Sequence, residues 1–340
     1  MKRWTARIAL VTAVAMLSAC RPQESAPAKA GSASVKQESA PTKSGGKRPD
    51  IYIEVSALGN LEYFHDHKMG MKKAGELFGV KTEYVGPADR DIAAMAQHLE
   101  LAIARKPGGL VVVGFDDALT PVVNKAVEAG IPVVTVDADL PKSRRIAFVG
   151  TGNFNAGYQG GLKLAELVGG SGKVGLLTLI GQSNLNERVD GYKAALAKSP
   201  QISIVDIGNT ESNSAKATQI VSLWLQQYND LAGIACVEAA GGSGAATAVR
   251  EAGRAGKVKI VAMDRDNAVL KSIEQGLIQA TVVQQTALMP IYAVTILYQI
   301  NHLDVPISTD NVAGKVPGVP TVIDTGVIIV DKDNYKYFLR

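Results

Sequence analysis

Short apolar, β-rich runs alternate with helix-period segments along nearly all of residues 50–335, and this alternation restricts the chain to an α/β architecture more than any other feature. Ile51–Val55, Gly109–Val113 and residues 132–136 read as strands. Between the first two, Ile92, Met95, Ala96, Leu99 and Ile103 recur at helical spacing and share one face. Further strands are predicted near residues 174–179, 202–207, 234–237, 260–263 and 280–283. Nearly continuous apolar strands separated by amphipathic helices indicate parallel sheets covered on both faces. Residues 287–300 form an apolar run of only about 14 residues with Pro290 near its start, so a packed helix is predicted rather than a membrane span.

An internal echo divides this alternation in two. Residues 132–139 run into Asp137-Ala138-Asp139, and residues 259–266 run into Asp264-Arg265-Asp266. Ligands of open parallel sheets sit beyond the carboxyl ends of the strands. Two such sheets facing each other would bring two acidic loops into one cleft. Asp137 and Asp264 are read as ligand contacts in preference to helix N-caps, whereas Asp139 and Asp266 are read as caps.

The amino terminus carries an address. Lys2, Arg3 and Arg7 precede an apolar stretch at 8–16 that is too short to span a bilayer, and Leu17, Ser18 and Ala19 lead into Cys20. This pattern resembles a bacterial lipobox, which implies a signal peptide at 1–19 and lipidation of Cys20; the alternative is an ordinary secretory signal that leaves an odd thiol. Residues 20–49 are rich in Ala, Pro, Ser, Lys, Gln and Gly and read as a disordered tether, with a reach of about 30 Å. Removing residues 1–19 leaves 33 basic against 32 acidic side chains, a net charge of +1. Such a balanced surface gives no nucleic-acid footprint. With Cys20 lipidated, Cys236 is left without a disulfide partner and is read as a buried strand thiol.

Five segments, taken in order, resemble one known family. They are residues 55–64 with Ser56, Asn60, Tyr63 and Phe64, residues 130–137 ending in Asp137, residues 187–192 with Arg188, residues 261–264 ending in Asp264, and residues 276–284 ending in Gln284. Together they are similar to the type I periplasmic substrate-binding proteins of the ribose and sugar group, which feed ABC importers. The resemblance implies two similar doubly wound parallel-sheet lobes joined by a three-segment hinge, with crossings near Thr151, Gln285 and Val319. The first lobe would comprise 50–151 and 285–318, and the second 152–284 and 319–340.

Carried over residue by residue, the resemblance implies a ligand site of Ser56, Asn60, Tyr63, Phe64, Asp137, Arg188, Glu238, Asp264 and Gln284. It further implies no cofactor, a sugar or polyol ligand, an ABC permease and ATPase complex as partner, and a lipid-anchored place on the extracytoplasmic face of a bacterial membrane. Ala138 stands where the ribose pattern has Arg, Glu238 where it has Asn, and Glu211-Ser212-Asn213 where it has an aromatic. Asp137-Ala138-Asp139 and residues 84–87 resemble the autoinducer-2 and rhamnose branch. One cation fewer and one carboxylate more would widen the ligand class toward amine-bearing molecules.

Other chemistries fit less well. His65 and His67 at i and i+2 of a helix start point apart and lack a third ligand, so they are read as solvated residues rather than a metal site. The glycine-rich stretches at 150–152, 169–174 and 241–244 depart from dinucleotide, phosphate-loop and nucleophile-elbow spacing, so no enzyme is expected. The competing reading is a ligand-sensing receptor of the same fold that signals to a membrane kinase or chemoreceptor.

Overall fold

The computed structural model describes residues 49–57, 59, 62–303, 305–311 and 313–339. The predicted signal peptide, Cys20, the tether up to residue 48 and Asn60 lie outside the described residues. Twelve strands form two six-stranded sheets among the described residues. The first sheet contains β1 (Ile51–Val55), β2 (Lys81–Val85), β3 (Gly109–Val113), β4 (Val133–Val136), β5 (Ala147–Gly150) and β11 (Val322–Asp324), ordered β11-β5-β4-β3-β1-β2 and parallel throughout. The second contains β6 (Ser171–Thr178), β7 (Gln201–Asn209), β8 (Leu231–Cys236), β9 (Lys259–Met263), β10 (Ala280–Gln284) and β12 (Val327–Asp331), ordered β12-β10-β9-β8-β6-β7. There β12 alone runs antiparallel to its neighbour.

Helices α1 (His65–Phe78), α2 (Ile92–Ala104), α3 (Thr120–Glu128) and α9 (Leu288–His302) cover the first sheet. Helices α4 (Asn153–Leu167), α5 (Ser183–Leu196), α6 (Ser214–Gln227), α7 (Ala239–Glu251) and α8 (Asn267–Glu274) cover the second. The helical spacing seen in the sequence is the packing face of α2: Met95, Leu99 and Ile103 are buried, and the Asp91 side chain accepts from the Ala94 N–H as the cap. The apolar run at 287–300 lies in α9 and its N-cap, and this helix buries Met289, Ala293, Val294, Ile296 and Leu297 against the first sheet. None of the helices among the described residues is long and apolar enough to cross a membrane. Cys236 is fully buried in β8, where burial pushes its thiol pKa far up.

The chain crosses between sheets three times, and the crossings are stitched to one another. Thr325 donates from both its N–H and its hydroxyl to the Gly150 carbonyl, the Gln285 side chain donates to the Thr325 carbonyl, and Asp324 accepts from the Gly152 N–H. The third crossing departs from the expectation of Val319. Residues 322–324 add an edge strand to the first sheet, with Val322 opposite Phe148 and Asp324 opposite Gly150, so the chain leaves that lobe only at Thr325 and Gly326. Gly326 turns there at φ 71°.

Candidate functional site

Asp137 and Asp264 follow corresponding strands, β4 and β9, and both adopt left-handed backbone conformations at φ 64° and 67°. For a residue other than glycine this conformation is uncommon and is best tolerated by short polar side chains. Each aspartate N–H donates to a carbonyl of the next strand in its sheet, Asp137 to Val149 and Asp264 to Val282. The same wiring therefore turns both side chains off the sheet ends. No helix follows Asp137 until α4, and the N-cap position of α8 belongs to Asp266, so neither residue caps a helix.

The two carboxylates have different partners. Tyr63, in a 3-10 turn at Glu62–Phe64, donates its hydroxyl to Asp137 Oδ1 at 2.6 Å. Burial, reinforced by Asp137 and Asp264, pushes the Tyr63 pKa far up, so the phenol keeps its proton and acts as a donor. Asp264 is only 8% exposed, and its Oδ1 accepts from Gln284 Nε2 at 2.9 Å. Gln284 in turn accepts from Arg188 Nη2 at 3.0 Å, while Arg188 also donates to Asn153 Oδ1 at 2.9 Å and to the Val237 carbonyl at 3.1 Å. Burial pushes the Asp264 pKa up to about 6, against the pull of Arg188 and the Gln284 hydrogen bond.

Arg188 reaches this position because α5 lies directly on α4. A Cβ at Gly157 would come within 1.9 Å of the Arg188 carbonyl, and one at Gly191 within 2.1 Å of the Phe154 carbonyl, so only glycine permits this approach.

The remaining predicted residues divide. Ser56 is fully buried at the end of β1, beside the Tyr84 hydroxyl. Phe64 is 1% exposed and packs edge-on against Tyr63 and Phe115 in the first-lobe core. Glu238 is buried, but both oxygens are engaged within its own lobe: Oε2 caps α7 through the Ala240 N–H, and Oε1 accepts from Thr210 Oγ1 at 2.8 Å. Both contacts come from neutral donors and turn its carboxylate toward its own lobe and the start of α7. The reading of Asp139 as a cap is corrected, and that of Asp266 holds in position only. Asp139 precedes no helix and instead binds the Arg145 guanidinium and accepts from Thr135 and the Leu140 N–H. Asp266 occupies the N-cap position of α8 without a side-chain capping bond.

The sequence reading missed the groups that join the lobes. Arg265, next to Asp264, donates from Nη2 to both oxygens of Asp66 on α1 at 2.5 and 2.6 Å. Thr286, in the second crossing, donates to the same carboxylate at 2.8 Å, and Asn267 donates to Glu62 at 3.1 Å. Tyr63, Asp264, Gln284 and Arg265 line a small cavity between the lobes. His67 is likewise not solvated: it is fully buried, with Nδ1 2.6 Å from Glu54 Oε1. His65 remains exposed. No three His, Cys, Asp or Glu side chains among the described residues are grouped to hold a metal.

A family model described as a periplasmic binding protein domain matches residues 51–302. The D-ribose/D-allose-binding protein of Pseudomonas aeruginosa is 28% identical over 260 residues, covering 73% of this chain and 81% of that protein. The D-allose-binding periplasmic protein of Escherichia coli is 26% identical over 238 residues, covering 66% and 76%. Among solved structures, a sugar ABC transporter sugar-binding protein from Bacillus halodurans superposes with a TM-score of 0.81 at 34% identity, covering 85% of this chain and all of that one. AraP, an arabinose-binding protein from Geobacillus stearothermophilus, gives a TM-score of 0.81 at 31% identity over 86% of this chain. With the two parallel-sheet lobes and the three crossings, these matches show that the chain belongs to the periplasmic binding protein family, as a type I member of the sugar ABC-importer group.

Proposed function

We propose that the protein captures a neutral sugar or polyol between its lobes and delivers it to an ABC permease. The observation that carries this reading is the pair of left-handed aspartates, one from each lobe, each with one oxygen held by an internal donor. The other oxygen of each is left to accept a ligand hydroxyl, so two hydroxyl groups on opposite edges of one ring can be bound at once. Hinge closure around the three crossings brings these half-sites together, and the Arg265–Asp66 contact bridges the closed cleft. Binding and release are the whole activity in this reading, with no bond made or broken.

Lipidation at Cys20 and a tether at 20–49 would hold this receptor beside its permease on the extracytoplasmic face. Calorimetric titration with D-ribose, D-allose, D-arabinose and xylitol tests the ligand class, and absence of binding across the panel removes the carbohydrate assignment. Native mass spectrometry of freshly purified protein would identify a retained ligand. Membrane fractionation of Cys20→Ser checks the anchor, which is refuted if the variant stays with the membrane.

A further inference from the structure

The first lobe contains a buried acid–base pair that the cleft chemistry above leaves unused. Glu54 stands within β1 and His67 in the first turn of α1, with Oε1 and Nδ1 2.6 Å apart and both side chains fully sealed from solvent. A charge in such a place is costly unless it is paired. The far imidazole nitrogen, Nε2, and Glu54 Oε2 have no hydrogen-bond partner. The imidazole packs against the Phe64 ring at 4.9 Å and the Tyr63 ring at 6.1 Å between centroids. Tyr63 is the residue whose hydroxyl holds Asp137. His67 therefore stands one ring behind the first-lobe anchor.

We propose that His67 is an imidazolium that acts as the fixed cation of the first lobe, positioning Tyr63 and compensating Asp137, so that ligand affinity has an alkaline limb governed by His67. This rests on the sugar-binding reading of the cleft. Three carboxylates act on the ring: Glu54 from β1, Asp137 from the end of β4 and Asp66 from its own helix. Burial opposes the proton, but these groups outweigh it and raise the His67 pKa above its ordinary value. The other cations nearby have different work. Arg265 is bound to Asp66, and Lys68 Nζ donates to the Gly59 carbonyl at 2.7 Å and lies over the Tyr84 ring. Ala138 after Asp137 brings no charge. In the second lobe Arg188 reaches Asp264 through hydrogen bonds of Gln284, whereas in the first lobe His67 reaches Asp137 only through ring packing on Tyr63, whose hydroxyl binds the carboxylate.

Long-range nitrogen–proton spectra of the imidazoles in the purified protein, with His67→Gln supplying the assignment, measure the protonation directly. His67 is expected to carry both ring protons at pH 7 and to lose one on the alkaline side, with Glu54→Gln lowering that transition by about one pH unit. A neutral His67 at pH 7 overturns the proposal. In parallel, D-ribose and D-allose are titrated into wild type and His67→Gln between pH 6 and 9. Wild-type affinity should fall about tenfold across the alkaline limb, and the variant should bind about tenfold more weakly at pH 7 with that limb flattened. In a Tyr63→Phe background most of the His67→Gln effect should vanish. Equal affinities and parallel profiles overturn the positioning role. If His67→Gln does not fold, Glu54→Gln decides, because its alkaline limb must move with the measured His67 transition. If neither sugar binds wild type, the ligand reading fails while the spectra still decide the charge of His67.

Discussion

Asp137 and Asp264 leave their strands at nearly the same φ and with the same N–H bond to the neighbouring strand, yet one rests on a phenol and the other on an amide backed by a guanidinium. Asp264 is 8% exposed whereas Asp137 is half-buried, and burial lifts the proton affinity of Asp264 toward neutrality. The backbone places the two acceptors equivalently, and the side chains around them give each a different partner. The second-lobe half-site is therefore expected to weaken in acid as Asp264 takes up its proton.

The largest effect should come from Asp264. Asp264→Ala is expected to cost about 2–5 kcal/mol of sugar binding, enough to abolish a titration signal, because the Gln284 and Arg188 relay is left facing an empty place. Its folded pKa of about 6 lies above the ordinary 3.8, so the folded protein holds this proton more tightly than the unfolded chain does. The contribution of Asp264 to stability is thus most favourable in acid, declines as pH rises from about 4 to 6, and is a net cost at pH 7. Asp264→Asn should accordingly stabilise the unliganded protein at pH 7 by about 1–3 kcal/mol in denaturant titrations, and by little at pH 4. A variant less stable at pH 7 would overturn that sign.

Asp137→Asn should weaken binding less, by about 1–3 kcal/mol, and should keep the acid loss of affinity expected of wild type as Asp264 takes up its proton near pH 6. Disappearance of that acid limb in Asp137→Asn would reverse the assignment of the two half-sites. Arg265→Gln removes the charge bridging the lobes at Asp66 and should cost about 1–2 kcal/mol, expressed as faster ligand release in stopped-flow traces. An effect confined to the association rate would remove its role in holding the cleft closed. The smallest change is expected from Tyr63→Phe at neutral pH, about 0.5–1.5 kcal/mol for one hydrogen bond to Asp137.

Much of this arrangement is legible in the chain because strands buried on both faces are nearly continuous apolar words, and β1, β3, β4, β8, β9 and β10 read that way with only single polar interruptions or polar ends such as Glu54, Lys259 and Gln284. The edge strands β2 and β11 are not legible in this way, whereas β7, also at an edge, shows as the apolar alternation at 202–207. In β2, Lys81 and Glu83 interrupt the run because they face solvent, with Glu83 bridged to Lys81 and Arg105. Val322–Asp324 is a three-residue edge strand with two exposed positions, and its pairing with β5 is decided by a neighbour some 170 residues away. In the site, Asp137, Arg188, Asp264 and Gln284 are recognisable by their places after strands or within a family segment. His67 and Arg265 are not, because their roles depend on partners in other elements: Glu54 from β1 and Asp66 from the opposite lobe. Glu238 shows the converse, since a carboxylate after a strand can be a cap as readily as a contact.

The glycine contact between α4 and α5 bears on how this receptor can change its preference. Side chains of the cleft can be exchanged singly, and each exchange alters which hydroxyl pattern is welcomed. The depth of the second-lobe wall is another kind of property, because Gly157 and Gly191 bring two main chains together and Arg188 inherits its height from that spacing. A methyl group at either position would push the two main chains apart and shift Arg188, and with it the Gln284 amide that holds Asp264, without replacing any side chain of the cleft.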